Sequence, residues 1–315
     1  MIPALVLTAG HATRLRPLSL VRAKAAVPVA GEPLARRILR WLAGAGVTDA
    51  VLNLHHLPQT LTAVVGDGSD LGIRVRYSWE LPVLGSAGGP RRAVPLLGGP
   101  AFLIVNGDTL TNVDLDALVA AHERSQALAT LAVVPNTEPQ KYGGVLVDDG
   151  GSVRGFAKRG STETSYHFVG VQAARADAFA SLADGVPAES FAALYPSLMA
   201  AHPGAVRAHV TAADFFDIGT PADYLRTSLL LAERERAPDQ LIGANARIDA
   251  SARIESSVVW DDVEVGAGAL IRESVVTDGA RVPAGASWTG VTIRAANGEL
   301  AAGEQRVGAL VIASL

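Results

Sequence analysis

The first two-thirds of the chain alternate short apolar runs with longer amphipathic ones. Ala4 to Thr8 is an apolar run of strand length that ends near Gly10. From Pro33 to Ala43 the period lengthens. Leu34, Ile38, Trp41 and Leu42 share one helical face, and Arg36, Arg37 and Arg40 lie mostly on the other. Pro33 suits the first turn of that helix, and Gly44 and Gly46 suit its stop. The same reading predicts strands over 50–54, 73–77, 101–105 and 128–134, with helices over 59–65, 90–97 and 114–125 among them. Repeated β–α alternation implies a parallel sheet covered on both faces. The pattern then changes. Residues 144–147 and 152–156 flank Asp148-Asp149-Gly150-Gly151 and read as a hairpin, and strands over 167–172 and 205–210 follow, so the predicted sheet is mixed. Thr220-Pro221-Ala222-Asp223 opens a helix that runs to about Ala232: Thr220 can cap it, Pro221 fits the first position, and an acid follows in the first turn.

A charged segment from Glu233 to Gln240, containing Pro238, reads as a linker. After it the period becomes six. Ile242, Ile248 and Ile254 recur at that interval, and Val265, Ile271, Val282 and Trp288 resume it after a break, with Gly and Ala between. An aliphatic residue every six positions among small residues is the pattern of a β-helix, where each aliphatic stacks under the next coil. A Gly/Ala-rich strand meander would alternate with period two and does not explain the spacing. Residues 306–312 form a closing strand in this reading. The predicted domains are 1–235 and 241–315.

Composition narrows the function. Of 315 residues, 27 are Lys or Arg and 31 are Asp or Glu, a net charge of −4, so the large basic excess of a general nucleic-acid binder is missing. Hydrophobic residues make up 49%, enough for a sizeable core. The absence of cysteine removes disulfides, thiolate metal sites and cysteine nucleophiles together. No apolar run has the length of a membrane span, and the N-terminus lacks the basic segment of a signal peptide. The expectation is a cytoplasmic protein with no membrane and no nucleic-acid partner. His55 and His56 are neighbours after a strand, where side chains point to opposite faces, so they do not read as a shared metal site.

The candidate chemistry begins after the first strand, at Ala9-Gly10-His11-Ala12-Thr13-Arg14-Leu15-Arg16. A small-residue loop there can bring backbone N–H groups close to phosphate oxygens, and Arg14, Arg16 and the later Lys24 add charge-assisted donors. A plain turn with solvent-facing basic residues explains the composition equally well. The three-glycine dinucleotide spacing is missing, and so is the Gly-Lys-Ser/Thr of a P-loop. Asp108 follows Asn106-Gly107 at the end of a strand, which suits a metal ligand or a simple turn. Asp217 precedes a helix, which suits a metal ligand or a cap.

This loop resembles the signature segment of the sugar-1-phosphate nucleotidyltransferases, the nucleotide-sugar pyrophosphorylases. Gly10, Thr13, Arg14, Leu15, Pro17, Leu18 and Lys24 match that pattern, while Ala12 replaces a glycine and Ala23 and Ala25 replace two prolines. Leu84-Gly85-Ser86-Ala87-Gly88-Gly89 resembles the base-and-ribose segment of the guanylyltransferases, and Val105-Asn106-Gly107-Asp108 the segment of the first metal-binding aspartate. Tyr142-Gly143-Gly144 resembles a sugar-contacting segment, and Phe216-Asp217-Ile218-Gly219-Thr220-Pro221 that of the second metal aspartate. The resemblance implies an α/β fold: a Rossmann-like nucleotidyltransferase domain with a mixed central sheet, followed by a short left-handed β-helix. Two segments depart from the pattern. Phe156-Ala157-Lys158-Arg159-Gly160 puts Lys158 where an acid meets the sugar and Arg159 where a lysine meets its phosphate. In Tyr166-His167-Phe168-Val169-Gly170, Phe168 stands in place of an asparagine; His167 either supplies the polar contact or packs at a pocket edge.

The implied reaction joins an NTP to a sugar 1-phosphate, with Mg²⁺, giving an NDP-sugar and pyrophosphate. By resemblance, Arg14 and Lys24 are catalytic. The nucleotide would meet Ala9, Gly10, His11, Ala12, Thr13, Gly85, Ser86, Ala87, Gly88 and Asn106. The sugar phosphate would meet Tyr142, Gly143, Lys158, Arg159, His167 and Gly170, and the metal Asp108 and Asp217. The base segment looks most like that of mannose-1-phosphate guanylyltransferases, which implies GTP and mannose 1-phosphate. Alternatives are a uridylyltransferase, a heptose-1-phosphate guanylyltransferase, or a regulatory paralogue that binds NDP-sugar. The tail has no histidine after His209, so it lacks the base expected of a β-helix acyltransferase. It is expected to pack on the catalytic domain or to join subunits in a homo-oligomer.

Overall fold

The computed structural model describes residues 1–298 and 300–315. They form two compact units. One comprises Met1–Gly10, Arg36–Pro58 and Val65–Phe216, the other His11–Ala35, Gln59–Val64 and Asp217–Leu315. Among the described residues, no helix is long and apolar enough to cross a membrane.

The first unit is built on a nine-stranded mixed sheet, as the hydrophobic pattern predicts. Strands β1 (Ala4–Leu7), β2 (Asp49–Leu54), β3 (Arg74–Trp79) and β4 (Ala101–Asn106) make its parallel part, in the order β4-β1-β2-β3. Val6 lies between Leu52 and Val105, all three buried. Sheets covered on both faces need such continuous apolar strands, which is why β1 and β4 read as unbroken runs, while β3 at the sheet edge alternates Arg74 and Arg76 with Val75 and Tyr77. The rest is β5 (Ala129–Pro135), β6 (Gly144–Val147), β7 (Val153–Ala157), β8 (Tyr166–Arg175) and β9 (Val206–Val210). The antiparallel pair β6–β7 is the predicted hairpin. β8 runs antiparallel to β4 and to β5, and its register against β5 shifts between Phe168 and Gln172. Gly170 sits in that irregularity at φ +80, and a Cβ there would come within 3.1 Å of Asn106 and Thr109. A bulge bends its strand, so the 166–168 end of β8 is aimed independently of the 171–175 end.

Helices α1 (Leu34–Gly44) and α2 (Pro58–Val65) fall where the periodicity puts them. Helix α3 (Gly85–Leu97) starts five residues ahead of the predicted 90–97. Pro90 lacks the N–H that would bond to the Ser86 carbonyl, which argues against a helix there. The Ser190 hydroxyl donates to that carbonyl at 2.7 Å instead, and Ala87 and Gly88 N–H donate to the Ala188 carbonyl at 2.9 and 3.2 Å. Partners from a hundred residues away thus extend the helix. Helix α4 (Leu115–Ser125) is capped by the Asp114 carboxylate, which accepts from Ala117 N–H at 2.9 Å. Helix α5 (Tyr195–Ala201), preceded by a π turn over Ser190–Leu194, has no counterpart in the sequence reading.

In the second unit, α6 (Pro221–Arg234) begins as predicted, with Thr220 Oγ1 accepting from Asp223 N–H at 3.1 Å, and runs into the predicted linker. The β-helix follows as three parallel ladders. Ile248, Val265 and Val282 stack on one, Ile254, Ile271 and Trp288 on the next, and Val276 on Val259 on the third. Successive coils are 17 residues apart. The step from Ile254 to Val259, like that from Ile271 to Val276, is one residue shorter than six, which explains the break in the sequence period. The predicted closing strand is instead two strands, Gln305–Val307 and Leu310–Ser314. The second pairs antiparallel with Val291–Ala295, so the last coil ends in a covered edge. Arg294 and Glu304, both almost fully buried, lock that end by a bidentate pair at 2.7 and 2.6 Å, which holds the Glu304 carboxyl below its usual range.

One corner of the β-helix, where Asp261 and Asp278 hold the same place in successive coils, grips the segment that carries Lys24. The Arg22 guanidinium bonds Asp278 through Nε and Nη2, both at 2.7 Å, bonds Asp261 at 2.6 Å, and lies over the Trp260 ring, 5.3 Å from its centroid. Trp260 Nε1 donates to the Tyr224 hydroxyl at 2.8 Å, which donates to the Pro28 carbonyl at 2.5 Å. Both aromatic side chains are wholly buried. Arg22→Ala removes three charge-assisted bonds and a stacked plane, with carboxylates left partly solvated, and is expected to cost about 1–3 kcal/mol. Urea unfolding together with amide exchange over residues 22–29 checks this. Arg226→Ala, whose side chain is 63% exposed beside Asp223, should change both little.

Candidate active site

In the first unit, the carboxyl ends of β1, β2 and β4 carry several of the candidate site residues. Beyond β1 the chain leaves the sheet, so the N–H groups of Thr8 and Ala9 need acceptors away from the ladder. Asn53 Oδ1 accepts both, at 2.5 and 3.2 Å, and the Thr8 hydroxyl donates to the Asn53 carbonyl. At the end of β4, Gly107 N–H donates to the Leu7 carbonyl at 2.9 Å. A Cβ on Gly107 would lie 2.5 Å from that oxygen, so only glycine lets the two chains cross here. Asp108 follows immediately, half-buried, with the Thr109 hydroxyl 3.3 Å from its Oδ1. Asn106 is also half-buried at the same strand end. The geometry thus places Ala9, Gly10, Asn106 and Asp108 along adjoining strand ends.

The segment proposed for the base lies on the first turn of α3. Gly85 has φ +76, and Ser86 Oγ donates to Glu189 at 2.6 Å. The Ala87 and Gly88 N–H groups are taken by Ala188, as above. The Ser86 hydroxyl also accepts from Ser190 N–H at 2.8 Å, so this helix start is satisfied within the chain and offers shape rather than spare donors. Glu189 and Ser190, which finish it, left no mark in the local sequence.

An aromatic cluster marks a third region. The Tyr142 and His167 ring centroids are 4.2 Å apart, His167 and Phe215 4.5 Å, and Tyr142 and Phe215 5.5 Å. Asp214 N–H, beside Phe215, donates to Asn112 at 2.7 Å and fixes that arm. His167 is set by the bulged end of β8. Both of its ring nitrogens are buried, and neither meets a partner in good hydrogen-bond geometry. Burial pushes its imidazole down to about 4, with the Lys141 charge acting the same way and the Gly143 backbone pulling against both. Lys158 and Arg159 stand exposed on the turn after β7, and Gly143 is exposed beside Tyr142.

In the second unit, the loop from His11 forms a short helical turn over Thr13–Leu15. Ala12 adopts φ +47, the left-handed region that favours glycine. A side chain there costs about 1–2 kcal/mol. The Ser19 hydroxyl holds the turn by donating to the Ala12 carbonyl at 2.8 Å. His11, Thr13 and Arg14 are exposed. A Cβ on Gly219 would lie 2.9 Å from Asp217 Oδ2 and 3.1 Å from Arg14 Nη1, so this glycine lets an aspartate and an arginine approach one point. Lys24 begins another short turn; beside it Ala23 N–H donates to Thr60 at 2.9 Å, and Ala23 and Ala25 are buried. Among the described residues no cluster of three or more His, Asp or Glu could form a metal site by itself. Asp108 and Asp217 are oxygen donors suited to Mg²⁺, which keeps waters or phosphate oxygens in its remaining positions.

The comparisons with known proteins give the family and the fold. Residues 3–234 match the nucleotidyl transferase family, and residues 235–295 match a GlmU-like C-terminal hexapeptide family. A mannose-1-phosphate guanylyltransferase of Mycobacterium tuberculosis is 29% identical over 84% of this chain and 81% of its own. An N-acetylmuramate alpha-1-phosphate uridylyltransferase of Neisseria meningitidis is 38% identical over 62% of this chain and 83% of its own. Among solved structures, HddC from Yersinia pseudotuberculosis shares the fold, with a TM-score of 0.65 and 22% identity over 73% of this chain and all of that one.

His167 supplies a pH test. Its folded value of about 4 lies below the ordinary 6.5. Between those values the unfolded chain binds a proton there that the folded chain does not, so stability falls as pH drops through that window. Urea unfolding at pH 7 and pH 5 should therefore show the native protein losing more stability than His167→Phe. Equal losses would mean that the imidazole is not held neutral.

Proposed function

Because the chain belongs to the nucleotidyl transferase family, we propose that it joins GTP to mannose 1-phosphate, releasing pyrophosphate and GDP-mannose. Nucleotidyl transfer onto a sugar 1-phosphate is the activity its curated relatives are named for. The choice of GTP and mannose rests on the base segment Leu84 to Gly89 and on the guanylyltransferase relatives. The observation that carries the reading is the set of charged groups and tight glycine crossings at the loops after β1 and β4 and, in the second unit, before α6.

In this reading the sugar phosphate oxygen attacks the α-phosphorus in line, and pyrophosphate leaves. The nucleophile belongs to the substrate, so the protein needs no activated serine or histidine. Its work is to bring two anions together and to offset the charge that builds up between them. Ala9 to Thr13 line the triphosphate path, Arg14 holds its oxygens, and Lys24 bridges the reacting phosphates. Gly85 to Gly88 and Asn106 position the nucleoside. Tyr142, Gly143, His167 and Gly170 shape the sugar side. Arg159, with Lys158, takes the sugar phosphate. Asp108 and Asp217 would hold Mg²⁺, which supplies charge neutralisation at the phosphate oxygens. The domains in this reading are a catalytic part over 1–235 and a β-helix over 241–315 that packs on the catalytic part or joins subunits in a homo-oligomer.

Lys24→Ala and Asp108→Ala should each lower turnover by about 10²–10³ while the protein stays folded. Steady-state pyrophosphate release with GTP and mannose 1-phosphate measures it, and rates near wild type would defeat the assignment. The same assay with UTP and N-acetylmuramic acid 1-phosphate tests the rival that the 38%-identical relative suggests. Faster turnover with that pair would replace GTP and mannose in the reading.

A further inference from the structure

Two buried polar side chains stand behind the candidate site and belong to none of the segments already given a role. Asn53, at the end of β2, is 3% exposed, and Glu80, just after β3, is 2% exposed. A carboxylate so deeply buried demands partners for both oxygens. Glu80 Oε1 accepts from Asn53 Nδ2 at 2.7 Å, and Glu80 Oε2 accepts from the Leu84 N–H at 2.7 Å. The Glu80 backbone is pinned as well: its N–H donates to the Leu54 carbonyl at 2.9 Å, and its carbonyl lies 2.9 Å from His55 Nδ1. Asn53 Oδ1 in turn accepts from Thr8 and Ala9 N–H. Space is reserved for the carboxylate too, since a Cβ on Gly89 would come within 2.7 Å of Glu80 Oε1.

The polarity of these linked bonds is fixed from both ends. Thr8 and Ala9 offer two N–H donors, so Asn53 must turn its oxygen to them and its amide NH₂ away. Leu84 offers a third N–H donor. The group between Asn53 and Leu84 must therefore accept at both ends, and a carboxylate is the side chain that does so. We propose that Glu80, acting through Asn53, is a positioning residue that sets the loop after β1 and the start of α3 in one geometry, so that the nucleotide's phosphates and base are held in register. The inference rests on the nucleotidyl-transfer reading for its function and on the hydrogen-bond chain for its mechanism. The unit is rigid because each bond orients the next, and removing one acceptor leaves buried donors facing each other.

The test is a polarity swap in the full chain. Glu80→Gln puts an NH₂ against either Asn53 or Leu84, and Asn53→Asp puts a carboxylate against Glu80. Each single variant should lower kcat/KM for the nucleotide by about tenfold or more, with the KM for the sugar 1-phosphate little changed. The double variant Asn53→Asp/Glu80→Gln restores the pattern. In it the carboxylate at position 53 accepts from Thr8, from Ala9 and from the new side-chain amide at position 80, whose oxygen accepts from the Leu84 N–H. It should recover to within about threefold of wild type, although it contains both damaging changes. A residue serving only as bulk would give losses that multiply. Single variants at wild-type rates, or a double variant no better than the worse single, would overturn the proposal. If Glu80→Gln alone fails to fold, recovery of folding and nucleotide affinity in the double variant supports the proposal, and failure of the double variant to fold overturns it. Equilibrium binding of Mg²⁺-GTP is measured in parallel. Wild-type protein without turnover would count against the nucleotidyl-transfer reading alone, while the presence or absence of rescue in that affinity still decides the hydrogen-bond chain.

Discussion

Two backbone N–H groups at the end of the first strand have no place in the sheet, and the side chain of Asn53 receives both. Much of the first unit is arranged around that need. The acceptor comes from the neighbouring parallel strand, its amide is answered by a buried carboxylate beyond the next one, and that carboxylate reaches the start of α3. Parallel order β4-β1-β2-β3 brings these pieces together because all four strands end on the same side. A sheet of this kind gathers its loops at one edge, where a ligand can be held by backbone groups from several strands at once.

The second unit solves a related problem for the cationic loop. Residues 11–35 contain little regular structure beyond short turns, so their shape must be borrowed. Arg22 borrows it from two aspartates and a tryptophan of the β-helix, and Pro28 from Tyr224 of α6. In this account the hexapeptide coils act as a scaffold for the segment carrying Lys24. The last coil is closed by an antiparallel pair of strands and a buried ion pair, and the loop is held along one corner of the coils before it.

Much of this architecture was legible in the sequence, since burial on both faces leaves continuous apolar strands and six-residue coils leave a distinct period. The early start of α3 was not. Pro90 argues locally against a helix, and only the distant Ser190 hydroxyl and Ala188 carbonyl make up for the bond it cannot form. The one-residue shortening on one side of each coil shows in the sequence only as a gap between Ile254 and Val265. Among the candidate site residues, the matches at Arg14, Lys24, Asp108 and Asp217 stand out because charge at a strand or helix end is conspicuous. Asn53 and Glu80 escaped notice because a lone polar residue at the edge of an apolar run looks like the strand's boundary. Gly107 and Gly219 matter through the side chain they lack, and their role shows only when the crossing chains are seen.

The account holds that this chain moves a nucleotidyl group directly between two substrates held by backbone donors and cations, with no nucleophile of its own. The most direct measurement is to supply NTPs labelled at the α-phosphate, with Mg²⁺ and a panel of sugar 1-phosphates, and to follow the label. The account predicts one productive pair, with label in the NDP-sugar, an equal amount of pyrophosphate, and none on the protein. Label appearing as the nucleoside monophosphate, or bound covalently to the chain, would contradict it.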